Sequence, residues 1–157
     1  MITDIRLAGQ QLAAPRFDTP KKLVSWMGAI QAQDYAMARW AVGIRLKSAT
    51  ARSVGEAFSR GEILRTHVMR PTWHLVAAED IRWMLKLSAR RIRSANESLA
   101  KGRQLELTEQ LHYRCDRLLE KMLEGNRNLT KQQIGEELNQ QGIAADTPRL
   151  TRLLMRA

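Results

Sequence analysis

Residues 63–76 read ILRTHVMRPTWHLV, two short runs rich in apolar and β-branched residues on either side of Arg70-Pro71. Runs of this composition and length are typical of β-strands. A proline between two such runs interrupts the first one and marks a turn. The segment therefore predicts a β-hairpin, with strands over residues 63–69 and 72–76.

Three helical patterns precede this hairpin. Thr19-Pro20 is typical of an N-cap followed by proline at the first helical position, and apolar residues recur behind it at helical spacing as far as Gln31. A second amphipathic stretch covers about residues 35–46, and a third begins at Ser53 and ends near residue 61. Three helices followed by a hairpin is the order of a winged helix, which we place at about residues 1–80.

A long helix is predicted from Ala78 onward, with apolar residues on one face and four basic residues, Arg82, Lys86, Arg90 and Arg93, on the other. We count this trailing helix with the first winged-helix domain, which then covers residues 1–93. The polar segment 94–107, with Lys101-Gly102 inside it, is typical of a helix end and a linker.

The second half repeats the helical part of this order. One apolar stripe ends near Gly125, Thr130 and Gln133 form the pattern of a capping box, and Thr147-Pro148 begins a last helix. We expect residues 108–157 to be the helical part of a second winged helix. Since no hairpin follows the last helix, we expect that the sequence was cut before the wing; the other interpretation is that the wing is genuinely missing. The predicted fold class is mainly α, a tandem winged helix with its second unit incomplete.

The composition favours an anionic partner. Lys and Arg number 26 against 16 Asp and Glu, a net charge of +10, which favours nucleic acid first and an anionic membrane surface second. A protein that is merely basic, with no anionic partner, is the other interpretation.

Other classes of site lack support in the sequence. The lone cysteine, Cys115, excludes a disulfide framework and is expected to be buried, and the 3 scattered histidines argue against a metal site. No phosphate-binding loop or nucleophile elbow is present, so we expect no cofactor. No stretch approaches the ~20 apolar residues of a membrane span, and we expect a cytoplasmic protein.

Three segments of the chain resemble one known family. They read GAIQAQDY (28–35) followed by ARWA (38–41), LRTHVMRPTWHLV (64–76), and AAEDIRWML (77–85). In this order and spacing they resemble the AlkZ-like family of tandem winged-helix proteins. The resemblance implies much longer full-length proteins, with three winged helices and a small β-barrel around a basic channel. It also implies DNA glycosylase activity on N-alkylated purines, including those in interstrand crosslinks.

The resemblance assigns a catalytic signature, Gln-apolar-Gln, to Gln31 and Gln33. Glycosylases of this kind must reach the glycosidic bond by extruding the nucleotide or by using a distorted duplex. An N-alkylated purine is already cationic and leaves without protonation, so neutral amides would suffice to position the attacking water. The other interpretation is a helix C-terminal amide that bonds to backbone carbonyls, since Gln31 continues the apolar face of the helix before it. Asp34 could stabilise an oxocarbenium ion or, as we expect, cap the next helix.

The candidate DNA-binding residues fall in three groups: Arg65, Arg70 and His74 on the hairpin, Arg82, Lys86, Arg90 and Arg93 on the long helix, and Arg149, Arg152 and Arg156 facing outward on the last helix. Each group has a structural interpretation beside the functional one. His74 could be a half-buried ring bonded to a main-chain oxygen, the stripe on the long helix could be a solvated face, and the last helix could pack on a neighbouring unit. We expect Trp40, Trp73 and Trp83 to lie in the core.

The sequence thus favours the N-terminal part of a DNA repair glycosylase, inactive as this fragment alone. We expect the full-length protein to be a monomer in the cytoplasm, associated with the nucleoid, and its partner to be double-stranded DNA, alkylated or crosslinked. The alternatives are a non-catalytic winged-helix DNA-binding protein, either a transcription regulator or an architectural protein, and a protein–protein interaction module.

Overall fold

The structure is a computed structural model that describes residues 1–69 and 72–156, in two compact units, Met1–Ala89 and Arg90–Ala157. The first unit contains α1 (Ile2–Gly9), α2 (Pro20–Met27), β1 (Ile30–Gln31), α3 (Tyr35–Gly43), α4 (Ala51–Ser59), β2 (Ile63–Val68) and β3 (Thr72–Ala77). Helix α5 (Ile81–Gly102) begins in the first unit and ends in the second. The second unit continues with α6 (Glu109–Met122), a 3-10 turn (Glu124–Asn126), α7 (Lys131–Gln140) and α8 (Thr147–Leu154).

Helix α2 begins as predicted and ends earlier than predicted. The Thr19 hydroxyl accepts a hydrogen bond from the Lys22 backbone N–H at 3.4 Å, and Pro20 occupies the first turn. The helix ends at Gly28, whose φ of +74° lies in the region that favours glycine. The prediction that Gln31 continues the face of this helix is therefore wrong, because the chain leaves the helix at Gly28 and enters a strand.

The hairpin prediction is confirmed for the described residues, while the predicted turn at Arg70-Pro71 lies outside them. Strands β2 and β3 pair antiparallel, and β1, which was not predicted, pairs with the other side of β3, so the sheet order is β1-β3-β2. From α2 onward, the order helix, strand, helix, helix, strand, strand with a three-stranded antiparallel sheet is consistent with a winged helix.

The first unit packs α2, α3 and α4 against one face of this sheet. Its buried members include Leu23, Val24, Val42, Val54, Ile63 and Leu75. On the other face, Val68 and Val76 pack against Met84 from the first turns of α5. The prediction that Trp40 and Trp83 lie in the core is wrong, since they are 59% and 53% exposed. Trp73 is half-buried and packs at the edge of the core, as expected.

The second unit has a core of its own, built from α6, α7 and α8. Its fully buried residues include Cys115, Leu138, Ile143 and Leu153. The predicted burial of Cys115 and the predicted capping box of Thr130 and Gln133 are both confirmed. Helix α8 is capped by Asp146 and not by Thr147, because Asp146 Oδ1 accepts from Arg149 N at 3.0 Å. The described part of this unit contains helices and no strand, so the tandem arrangement stays a prediction.

The segment 94–107, predicted as a linker, is helical as far as Gly102. Asn96 and Ala100 are buried, 3% and 7% exposed, and continue the helical spacing of the buried residue Ile92. The Asn96 NH2 group donates to the Arg152 carbonyl at 2.8 Å, whereas its Oδ1 is buried without a partner among the described residues. The polar composition that indicated a linker therefore belongs to the exposed sides of a helix.

Candidate active site

Gln31 and Gln33 lie at and just beyond the end of β1, at the edge of the sheet. Gln31 pairs with His74 of β3, and the Ala32 N–H donates to the Trp73 carbonyl at 2.8 Å. Ala32 is 1% exposed and belongs to the core, whereas both glutamines are exposed. Since successive side chains of a strand point to opposite faces, Gln31 and Ala32 point to opposite faces of the sheet. Gln33 lies beyond the end of β1, at the edge of the sheet.

The side chain of Gln33 extends the pairing of β1 with β3 by one residue. Its Oε1 accepts from the Trp73 backbone N–H at 3.4 Å, so Trp73 bonds the motif through both its N–H and its carbonyl. With this oxygen engaged, the NH2 group of Gln33 remains as the donor that a ligand could use. The amide of Gln31 has no hydrogen-bond partner in the described part of the chain and is open to a ligand on both its oxygen and its NH2 group.

His74 lies beside the two amides, in the middle strand of the sheet. It pairs with Gln31 on one side and with Thr66 on the other, which places the three residues in a row across one face. The ring is 9% exposed, and its Nδ1 lies 2.9 Å from the Thr72 carbonyl oxygen. A carbonyl oxygen only accepts, so Nδ1 is the donor in this contact. This agrees with the structural interpretation of His74, and a ring so buried is poorly placed to contact a phosphate.

Arg65, predicted to contact phosphate, bonds to the backbone of the glutamine motif. Its Nε donates to the Ala32 carbonyl at 2.9 Å and its Nη2 to the Gln33 carbonyl at 3.1 Å. The guanidinium carbon lies 4.3 Å from the centroid of the Trp73 ring and 5.9 Å from that of Tyr35. Two of the N–H donors of Arg65 thus bond to backbone carbonyls of the first unit, and its guanidinium stacks on aromatic rings of the same unit.

Asp34 caps the helix that follows the motif. Its Oδ1 accepts from the Met37 backbone N–H at 2.8 Å, at the N-terminus of α3. The capping interpretation of Asp34 is therefore confirmed, and this carboxylate oxygen is engaged with the helix.

The predicted basic residues of α5 are exposed. Arg82 and Lys86 lie one turn apart in the part of α5 that belongs to the first unit, and Arg90 and Arg93 lie in the part that belongs to the second. None of the four forms an ion pair within residues 1–69 and 72–156. They remain candidate phosphate contacts, and Arg70 lies outside the described residues.

The prediction that the arginines of α8 face outward is wrong. Arg156 makes a two-pronged ion pair with Glu109, with N–O distances of 3.1 and 2.6 Å, and its side chain is 18% exposed. Arg149 donates to the Glu106 carbonyl at 2.9 Å, and Arg152 is half-buried, with burial the main cause of its lowered pKa. Arg149 and Arg156 fold back onto their own unit because acceptors at the start of α6 and in the segment before it lie within reach. Arg152 differs, since its Nη1 is buried without a hydrogen-bond partner among the described residues.

The two candidate catalytic side chains are neutral amides, and the charged groups beside them, Arg65 and Asp34, bond to the backbone. In the described residues there is no group of three or more His, Cys, Asp or Glu side chains that could hold a metal ion. None of the described helices is long and apolar enough to span a bilayer.

The sequence analysis predicted neither strand β1 nor the hydrogen bonds of Arg65. The signal that helix α2 ends before the motif was Gly28, followed by the β-branched Ile30.

The fold and the site thus describe a winged-helix-like unit that displays a pair of glutamine amides at the edge of its sheet. Residues 24–157 match the family described as DNA glycosylase AlkZ-like, and the chain belongs to this family. Among solved structures, it is similar to the Streptomyces sahachiroi DNA glycosylase AlkZ, with a TM-score of 0.69 and 19% sequence identity over 96% of this chain. The chain spans 38% of the length of that structure. A comparison with curated proteins gave no match.

Proposed function

We propose that the chain is the N-terminal part of a DNA repair glycosylase that hydrolyses the N-glycosidic bond of N-alkylated purines, including those in interstrand crosslinks, with Gln31 and Gln33 as its catalytic residues. The observation that carries this proposal is that both amides are exposed at the edge of the sheet and that Gln33 is held there by β3 and by Arg65. Membership of the AlkZ-like family supports it, and the 38% coverage supports a longer protein.

Neutral amides suit the chemistry of this substrate. An N-alkylated purine carries a positive charge, so the electrons of its bond to C1′ neutralise the base as it leaves, and no general acid is required. Water then supplies the hydroxyl at C1′ and releases a proton to solvent. The Gln31 oxygen, unpartnered in the described residues, can accept a hydrogen bond from that water, and the Gln33 NH2 group can donate one to the water or to the nucleotide.

The charge of the chain suits double-stranded DNA as the partner. The net charge is +10, and the exposed residues Arg82, Lys86, Arg90 and Arg93 are available for phosphate oxygens. We expect the full-length protein to bind as a monomer and, since its substrate is chromosomal DNA, to act in the cytoplasm at the nucleoid.

The test is base excision by the full-length protein. A duplex with a single N7-methylated guanine, and a second duplex crosslinked through guanine N7 atoms, are incubated with excess enzyme and analysed for abasic sites. Replacement of either glutamine in the motif, Gln31→Ala or Gln33→Ala, is expected to lower the single-turnover rate by about 100-fold or more. Gln110→Ala is the matched control, because Gln110 is an exposed glutamine of α6 in the other unit.

Two results would contradict the proposal. The first is that the wild-type protein forms no abasic product from either duplex, and the second is that the motif variants retain the wild-type rate. Affinity that depends on DNA sequence and is indifferent to the lesion would favour the non-catalytic alternative, a transcription regulator or an architectural protein.

A further inference from the structure

We infer that Arg65 is a positioning residue, which sets the conformation of Gln33 through the backbone and does not itself contact DNA. The inference rests on the proposed function for its catalytic consequence. Its structural part, that this arginine holds residues 32–34 in place, stands on the geometry of the first unit alone.

The strand that carries the motif is too short to hold Gln33 by pairing. Strand β1 consists of Ile30–Gln31, and its last backbone bond to β3 is that of the Ala32 N–H with the Trp73 carbonyl. Gln33 lies beyond this point, at the edge of the sheet, where the backbone carbonyls have no neighbouring strand to bond. Another group must hold the chain between Ala32 and the helix that begins at Tyr35.

The guanidinium of Arg65 holds the peptide planes on both sides of Gln33. The Ala32 carbonyl belongs to the peptide before Gln33 and the Gln33 carbonyl to the peptide after it, and Arg65 donates to both, at 2.9 and 3.1 Å. Since each peptide is planar, the φ and ψ angles of Gln33 are the rotations between these two planes. Fixing both planes therefore fixes the direction in which the Gln33 side chain leaves the backbone.

Arg65 is itself held from two sides. Its backbone lies in β2, paired with Leu75 of β3, and its guanidinium lies 4.3 Å from the centroid of the Trp73 ring. Trp73 in turn bonds the motif through its backbone N–H and carbonyl. The motif, Trp73 and Arg65 thus form a closed set of contacts in which each member bonds or stacks on the other two.

A lysine cannot replace this arginine. The planar guanidinium presents two parallel donors to two carbonyls and a flat face to the indole ring, whereas an ammonium group offers a point charge without a fixed plane. Arg65→Lys therefore keeps the charge that a phosphate contact would need and removes the geometry that positioning needs. This difference separates the two roles.

The experiment compares Arg65→Lys, Arg65→Gln and the control Arg52→Gln in the full-length protein. Arg52 is an exposed arginine of the same unit. We expect both Arg65 variants to lower the single-turnover excision rate by about 100-fold, and the control to stay within about twofold of wild type. We also expect the Kd for duplex DNA, and the slope of log K against log salt, to be unchanged. Unfolding midpoints, measured for each variant, set an assay temperature at which all are folded.

Amide hydrogen exchange of the peptide that contains residues 30–34 provides a readout independent of activity. We expect faster exchange in both Arg65 variants and wild-type exchange in the control. If wild-type protein excises nothing, the proposed function fails, and the exchange measurement still decides whether Arg65 holds the motif. Unchanged exchange in the Arg65 variants would overturn the inference. So would an unchanged excision rate in Arg65→Gln with a salt slope lowered by about one, the mark of a lost phosphate contact.

Discussion

Gln31 and Gln33 carry no charge at any physiological pH, and this property suits a substrate whose positive charge resides on the base. A carboxylate at the same position would favour the cationic base in the ground state as well as the oxocarbenium ion that forms later. Only an interaction that is stronger in the transition state than in the ground state raises the rate of the chemical step. A pair of amides orients water without adding an attraction for the bound substrate, so the choice of residue type is itself part of the mechanism that we propose.

We expect His112 to make the second unit sensitive to acid. It is 6% exposed, and its lowered pKa has burial as its main cause, with the charge of Arg156 second; Glu109, Asp116 and Glu97 oppose the shift. A folded-state pKa below the unfolded value means that the folded state resists protonation. The folded state is therefore most stable, with respect to this histidine, above the ordinary histidine pKa of 6.5. This contribution to stability is lost as the pH falls through the lower folded-state pKa.

We predict that thermal unfolding shows this dependence. Between about pH 7.5 and about pH 5, the Tm of the wild-type protein should fall by more than that of His112→Gln, which cannot be protonated at this position. Differential scanning fluorimetry in a series of buffers makes the comparison. An equal fall in both proteins would show that other groups cause the acid sensitivity.

At the scale of the elements, two glycines inside helices differ in the space around them. A Cβ at Gly135 of α7 would lie 2.9 Å from Leu150 Cδ2, in the core of the second unit, where Leu150 is 4% exposed. A Cβ at Gly55 of α4 would lie 3.3 Å from Nη2 of Arg39, the end of a flexible side chain. Helix propensity favours alanine at both positions by about 1 kcal/mol, so packing determines the sign of the net effect.

We predict that Gly55→Ala raises the free energy of unfolding by about 0.5 kcal/mol and that Gly135→Ala lowers it by about 1 kcal/mol. The strain in the second case arises because α7 and α8 approach closely at this glycine. Urea denaturation of both variants measures the two effects, each variant serving as the control for the other. Stabilisation by Gly135→Ala would mean that Leu150 moves aside at little cost.

Helices α5 and α8 use their basic residues differently. Arg82 and Lys86 of α5 are exposed, whereas Arg156 of α8 is ion-paired with Glu109 within its unit. We predict that Lys86→Ala lowers the slope of log K against log salt for duplex binding by about one and leaves stability unchanged. We predict that Arg156→Ala lowers stability and leaves the slope unchanged. Fluorescence anisotropy at several salt concentrations, with thermal unfolding alongside, tests both; the reverse pattern would assign the DNA contact to α8.

The elements that the sequence predicted correctly are those with a local signal. The adjacent pair Thr19-Pro20 marks the start of one helix, and the capping box of Thr130 and Gln133, three positions apart, marks the start of another. The hairpin follows from two β-branched runs that are close in the sequence. Strand β1 has no such signal, because two residues show no periodicity and form a strand here only by pairing with β3, more than forty positions away.

The sequence named candidate site residues and did not predict their contacts. The family resemblance indicated Gln31 and Gln33, but Arg65 bonds to backbone carbonyls, and a carbonyl leaves no trace in the sequence. The arginines of α8 were placed outward from the pattern of one helix, whereas the partner of Arg156 is Glu109 of α6. Both errors have one physical cause, since the conformation of a long charged side chain depends on acceptors supplied by other elements.

At the scale of the whole molecule, the positive charge is distributed over both units. Residues 1–89 contain 13 Lys and Arg against 7 Asp and Glu, and residues 90–157 contain 13 against 9, so the net charges are +6 and +4. The glutamine motif that we propose as catalytic lies in the first unit, while part of the charge that we propose attracts DNA lies in the second. Affinity for DNA and catalysis are therefore properties that experiments on the protein can separate.

We predict that residues 1–157 alone fold and bind duplex DNA but excise no base, whereas the full-length protein does. Gln31 and Gln33 are exposed to solvent in the described structure, and the chain spans 38% of the solved glycosylase that it resembles. An extruded nucleotide must be enclosed so that water reaches C1′ from the amides alone, and in our proposal the first unit supplies only one wall of such a site. Both proteins are assayed for abasic product from the same N7-methylated duplex, with circular dichroism to establish that the shorter one is folded. Excision by residues 1–157 at the full-length rate would contradict this prediction. It would mean that these residues contain the whole active site and that the two exposed amides need no further wall to act on an extruded nucleotide.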